Sequence, residues 1–133
     1  MIVRMEKLEM NNIMIKVDLE FNEEFFINVL ETALYDGIHY WVKEIKWSRK
    51  AVVNKSRAEQ IIQDGCIMTL IVDFNDDYRE FNLTKNKLIR GFKRYCNWRV
   101  ENEKYIYTSA SDIDSEEADL IVQFALFDEI VFG

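Results

Sequence analysis

Proline is absent from the 133 residues, and glycine is scarce, with four. The missing proline excludes a Pro-rich linker, and the composition argues against disorder away from the ends. The glycines Gly37, Gly65, Gly91 and Gly133 stand too far apart for G-x-G-x-x-G or a P-loop. A nucleotide, if bound, must be held by side chains and helix ends. Histidine occurs once, as His39. A nucleophilic triad needs a base held beside its nucleophile, and no such signature surrounds His39. Its neighbours Tyr40 and Trp41 suggest a partly buried structural imidazole. Cys66 and Cys96 are the only cysteines and form no C-x-x-C pair, so they read as two reduced, buried thiols. With so few Cys and His, a zinc set is excluded. No apolar run approaches the ~18 residues that a membrane span requires. The first residues lack the apolar core of a signal peptide, so a cytoplasmic chain is expected.

Positive charge is also in deficit. Seventeen Lys and Arg face 24 Asp and Glu, for a net charge of −7. That argues against non-specific binding of DNA or RNA, which needs a dense basic footprint, but leaves room for one local basic pocket. What the chain has in quantity is apolar and aromatic mass: 49 % hydrophobic residues, with nine Phe, six Tyr and three Trp. A chain of this size can bury roughly two thirds of its unfolded surface and fold without staples.

Hydrophobic period organises the chain. Residues 1–12 read as an N-terminal arm or short helix, and residues 13–133 as a single α+β domain. Ile13 to Leu19 alternates as a half-buried strand does. Asn22 caps a helix carrying Phe26, Val29, Leu30, Ala33 and Leu34, which Gly37 stops. Ile38 to Trp47 reads as a strand with imperfect alternation. Ser56 caps a short helix closed by Asp64-Gly65. Cys66 to Phe74 reads as a central strand buried on both faces, and Asn75-Asp76-Asp77 turns it into Tyr78–Leu83. Thr84 caps a helix with Leu88, Ile89, Phe92, Tyr95 and Cys96. Lys104–Thr108 is an edge strand or ordered loop. Ser115 caps a last, largely apolar helix, followed by the apolar tail Ile130–Phe132. Helices and hairpins mix, which predicts an α+β fold with a mostly antiparallel sheet of three to five strands packed with three to four helices.

Two acidic runs invite a metal reading. Asp73-Phe74-Asn75-Asp76-Asp77 begins like a calcium loop, but Tyr78 stands where glycine is needed and Thr84 where the final Glu belongs; a turn fits better. Asp112–Glu117 lies where acidic groups stabilise a helix N-terminus. No cofactor or metal is expected. The segment Thr84–Tyr95 is different. Lys87, Arg90 and Arg94 share one helix face, with Phe81 just before them. They form either a solvated face or an anion site, since Arg pairs bidentately with phosphate and aromatic faces stack on bases. Gly91 costs about 1 kcal/mol inside a helix relative to Ala and is tolerated where a helix or a ligand must approach the backbone closely. Tyr40 and Trp41 either pack the helix on the sheet, stack on a planar ligand, or anchor a subunit contact.

Three stretches together resemble small phage and prophage proteins of Gram-positive bacteria: Asp36–Trp41, Phe81–Thr84 with Leu88–Gly91, and Ala118–Gly133. The resemblance covers about residues 13–133, and in size and layout the chain is similar to the Thoeris anti-defence sponge proteins. That likeness implies a non-enzymatic protein of the infected bacterial cytoplasm that sequesters a cyclic nucleotide immune signal, of the cyclic ADP-ribose type or a cyclic oligonucleotide, without cleaving it. It implies pockets at subunit contacts in which Phe81 stacks on a base. Arg57 and Arg90 would pair with phosphates, and Tyr40 or Trp41 would line the wall. The alternative is an interaction module that occludes a host protein. The apolar span Phe124–Phe132 points to a homo-oligomer based on a dimer, with no DNA, RNA or membrane partner.

Overall fold

A computed structural model describes residues 2–10, 13–102, 104–107 and 109–133, the first two strands as backbone. In chain order the elements are β1 (Ile2–Met10), β2 (Ile13–Glu20), α1 (Glu23–Thr32), a π-helical turn (Ala33–Gly37), β3 (Val42–Trp47), α2 (Arg57–Asp64), β4 (Met68–Phe74), β5 (Asp77–Leu83), α3 (Lys85–Glu101), a 3₁₀ turn (Ala110–Asp112) and α4 (Ser115–Phe127). The fold is α+β, as the pattern predicts. Strands β1 and β2 pair as an antiparallel hairpin, while β3, β4 and β5 form a separate antiparallel sheet in that order. The N-terminal segment is therefore a strand and not a short helix. Met1, Asn11 and Asn12 of that expected arm lie outside the described residues, as does Thr108 of the expected 104–108 strand or loop. Residues 104–107 belong to no strand.

Local chemistry explains most boundaries. Asn22 accepts a hydrogen bond from the Phe25 N–H at 2.9 Å and opens α1. Ser56 and Glu59 form a reciprocal capping box at α2, and Gly65 ends that helix in the left-handed region at φ 72. Asn75 (φ 54) and Asp76 (φ 70) form the two-residue turn between β4 and β5, the positive-φ geometry that matches strand twist. The last helix starts one residue earlier than expected, because Asp114 rather than Ser115 caps it, accepting from Glu117 N–H at 2.9 Å. Strand β4 is central, but only one of its faces is fully buried: Met68, Leu70 and Val72 point into the core while Thr69, Ile71 and Asp73 are half-covered. The imperfect alternation of β3 has a physical cause. Val42 pairs with Val72 and Glu44 with Ile71, so Lys43 is the extra residue of a β-bulge, which returns Val42 and Ile45 to the same face. Residues 38–41 are turn, not strand.

The helices cover the inner face of this sheet. Phe21, Phe25, Phe26 and Phe92 meet at centroid distances of 4.7 to 6.3 Å, the tilted and edge contacts that aromatic rings prefer. Helices α3 and α4 cross in close contact at Gly91, where an added Cβ would stand 2.4 Å from the Ala125 backbone. The close approach that Gly91 requires thus comes from a helix. Gly37 has the same reason: a Cβ there would lie 2.9 Å from the Ser115 carbonyl oxygen, so it seats the N-terminus of α4 against the π-helical turn.

Candidate functional site

An open cleft of about 680 Å³ lies along the first turns of α4, between the π-helical turn, the end of α3 and the C-terminal tail. Its walls combine Tyr40, Trp98, Leu120 and Phe132 with Asp36, Glu116, Glu117 and Asp119; among the described residues that line it, Lys104 is the only cation.

Two networks shape the walls. Asp119 is buried (5 % exposed) yet faces no cation among its described partners. It accepts from Trp41 Nε1 at 2.6 Å, from Tyr40 Oη at 2.6 Å and from Gln123 Nε2 at 3.1 Å. Neutral donors satisfy the carboxylate, as burial of a charge requires. Desolvation, reinforced by the bond to Asp119, pushes the Tyr40 phenol up to about 12, so Tyr40 remains a donor at neutral pH although its ring is open to solvent. Below the cleft, Arg99 (5 % exposed) pairs with Glu117 at 3.0 Å. It also donates to the Tyr105 carbonyl and stacks at 4.2 Å over Tyr107, tying the 104–107 segment to α3. Tyr95 donates to the same Glu117, and burial followed by that bond holds its phenol well above the usual range. Of the four carboxylates in the lining, Glu117 is thereby neutralised by Arg99. Asp36 and Glu116 remain exposed. The Lys104 ammonium stands 5.0 Å above the Trp98 ring.

The residues expected from sequence do not converge. Tyr40 lines the cleft, and Trp41 lies behind it, 3 % exposed and stacked on Phe132 at 5.4 Å. Arg57 sits at the other end of β3, roughly 20 Å away by strand rise. There it lies 4.6 Å over Trp47 and donates to the Arg49 carbonyl at 2.8 Å. Phe81 is half-buried between Phe74 and Phe127, at 6.1 and 4.9 Å. Lys87 donates to the Asn82 carbonyl at 2.9 Å. Arg90 and Arg94 are exposed on α3 with no ion-pair partner among the described residues. His39 is exposed rather than partly buried. Its Nε2 lies 2.7 Å from the Leu34 carbonyl and 3.2 Å from that of Tyr35, so it caps carbonyls of the π-helical turn. Of the apolar tail, Phe132 packs on Trp41, Phe74 and Phe127, while Ile130 and Val131 are exposed.

Sequence reasoning missed Asp119, Gln123, Trp98 and Lys104. Asp119 and Gln123 did carry a signal, two polar residues at i and i+4 on an otherwise apolar helix. Trp98 and Lys104 carried none, because they meet only through the turn after α3. No family model, curated protein or solved structure matches this chain.

Proposed function

We propose that this chain is a non-catalytic binding module whose cleft grips a cationic side chain, Lys or Arg, presented by a partner protein. The observation that carries this reading is the chain's own Lys104, whose ammonium lies 5.0 Å over Trp98 at the lip of a cleft otherwise charged by carboxylates. Aromatic faces attract cations through the ring quadrupole, more strongly where water is partly excluded. Nearby carboxylates add attraction, which salt screens. Interfaces of this kind draw their affinity from a few aromatic and Arg anchors, and the net charge of −7 favours encounter with basic partners.

Titration with tetralysine, followed by calorimetry, tests the proposal. Saturable binding that weakens at least tenfold between low and ~0.3 M salt, and weakens several-fold in Glu116→Gln and Asp36→Asn, is expected. Equal binding of tetraglutamate, or no binding, overturns it.

A second reading is sequestration of a cyclic nucleotide signal. One observation favours it: Arg90 and Arg94 present an exposed cationic stripe on an acidic chain. Because Phe81, Arg57 and this stripe lie apart within one chain, that pocket would need a second copy. Incubation with cyclic ADP-ribose isomers, followed by heating, should release intact ligand. No ligand, or an altered one, rejects this reading.

A further inference from the structure

The C-terminal tail occupies a built receptor. Gln123 is fully buried at 0 % exposure, and its amide reads the tail main chain three times. Oε1 accepts from Val131 N–H at 2.9 Å and Phe132 N–H at 2.8 Å, and Nε2 donates to the Phe132 carbonyl at 3.0 Å. The amide's orientation is not free. Asp119 is an acceptor only, so the other Nε2 hydrogen must face it at 3.1 Å, which leaves Oε1 toward the tail. Phe132 is the tail's side-chain anchor, held nearly parallel to Trp41 (interplanar 6°) and flanked by Phe74 at 5.5 Å and Phe127 at 6.0 Å. Residues Ile130 and Val131 are 36 % and 41 % exposed.

We infer that this seat is an exchangeable peptide site that takes the tail of a second copy of the chain. Every contact just described joins the tail to a side chain of the domain body, so each can be remade between two copies without loss. The tail leaves α4 at Asp128 (φ 63), the left-handed C-cap whose N–H bonds the Phe124 carbonyl at 3.1 Å, so the helix is closed before the tail begins and the tail can leave its seat without unwinding it. Two copies related by a two-fold axis would each donate a tail and each offer a seat. Within one chain the tail competes at a millimolar effective concentration, so the exchanged dimer gains with protein concentration. This inference does not depend on the cleft binding a cation.

The test is complementation between two full-length variants. Gln123→Leu has a broken seat and an intact tail; Phe132→Ala has an intact seat and a broken tail. Each alone should be monomeric by light scattering at ~100 µM, and an equimolar mixture should form a one-to-one dimer whose fraction rises with concentration. A mixture that remains monomeric while both variants are folded overturns the inference. A control independent of those variants uses the intact chain and the peptide acetyl-Ile-Val-Phe-Gly-amide at millimolar concentration. The peptide should shift the Trp41 indole N–H resonance saturably, and N-methylation of its Phe nitrogen should weaken it at least tenfold. No shift, or an unchanged affinity for the methylated peptide, overturns the site.

Discussion

At the scale of single residues, the decisive positions are those where polar or backbone atoms have no room for substitutes. Gly91 is the clearest. A methyl group there would meet Ala125 backbone at 2.4 Å, and backbone cannot yield as a flexible side chain does. Ala gains about 1 kcal/mol over Gly in helix propensity, whereas overpacking costs typically ~1–3 kcal/mol and sometimes more. Because the 2.4 Å contact is with backbone, the cost lies at the upper end of that range, and Gly91→Ala is expected to lower stability by about 2 kcal/mol net of the propensity gain, read as a drop in the urea midpoint at constant slope. A neutral result would mean that α3 and α4 separate easily. Asp119 is the polar counterpart. Asp119→Leu would leave Trp41 Nε1 and one Gln123 hydrogen without an acceptor at a cost of about 1–3 kcal/mol each, whereas Asp119→Asn keeps one acceptor and should be milder. Comparison of the two by thermal unfolding checks the assignment.

At the scale of elements, strand β3 shows how a backbone irregularity can be mistaken for weak patterning. With the Lys43 bulge, Val42 and Ile45 share the core face although they stand three apart. Deletion of Lys43 restores regular spacing and keeps both inward, so it should fold with only a small loss. Deletion of Lys46 instead reverses Trp47, which pairs with Met68, onto the solvent face. That chain should lose several kcal/mol or fail to fold. Circular dichroism and urea titration of the two deletions distinguish these outcomes. Equal damage from both would refute the bulge. The caps at Asn22, Ser56 and Thr84 and the turn at Asn75-Asp76 were readable in sequence because each acts within three or four residues. The bulge was not, since it exists only relative to β4.

At the scale of the whole molecule, burial makes stability depend on alkaline pH. Burial pushes the Cys96 thiol from 9.0 up to about 12, and Tyr40 moves from 10.0 to about 12. Both acids are more protonated when folded than when unfolded. Their contribution is complete below the unfolded values and is lost as pH climbs through the window up to about 12. The urea midpoint should be flat from pH 6 to 8 as far as these groups are concerned, and should begin to fall near pH 9. Buried Cys96 contributes a slope of up to about 1.4 kcal/mol per pH unit as it titrates, and Tyr40, which is largely exposed, contributes less because solvent screens it. Cys96→Ala should move the onset upward by about one unit, to the tyrosine range, whatever its effect on absolute stability. An unchanged onset would show that Cys96 ionises freely in the folded state.

The amino-acid sequence by itself determined the α+β class, the positions of the helices, the β4–β5 hairpin and the buried thiols. These follow from periodicity, capping chemistry and composition, all of which are local along the chain. Only the tertiary structure decided the site. Tyr40 and Asp119 stand 79 residues apart and meet at 2.6 Å, and no local pattern encodes such a meeting. It decided equally that Gly91 serves a helix crossing and that Phe132 of the apolar tail packs on Trp41. The partner of a close approach or of an apolar face is set by packing across the whole chain, which one segment's sequence does not contain.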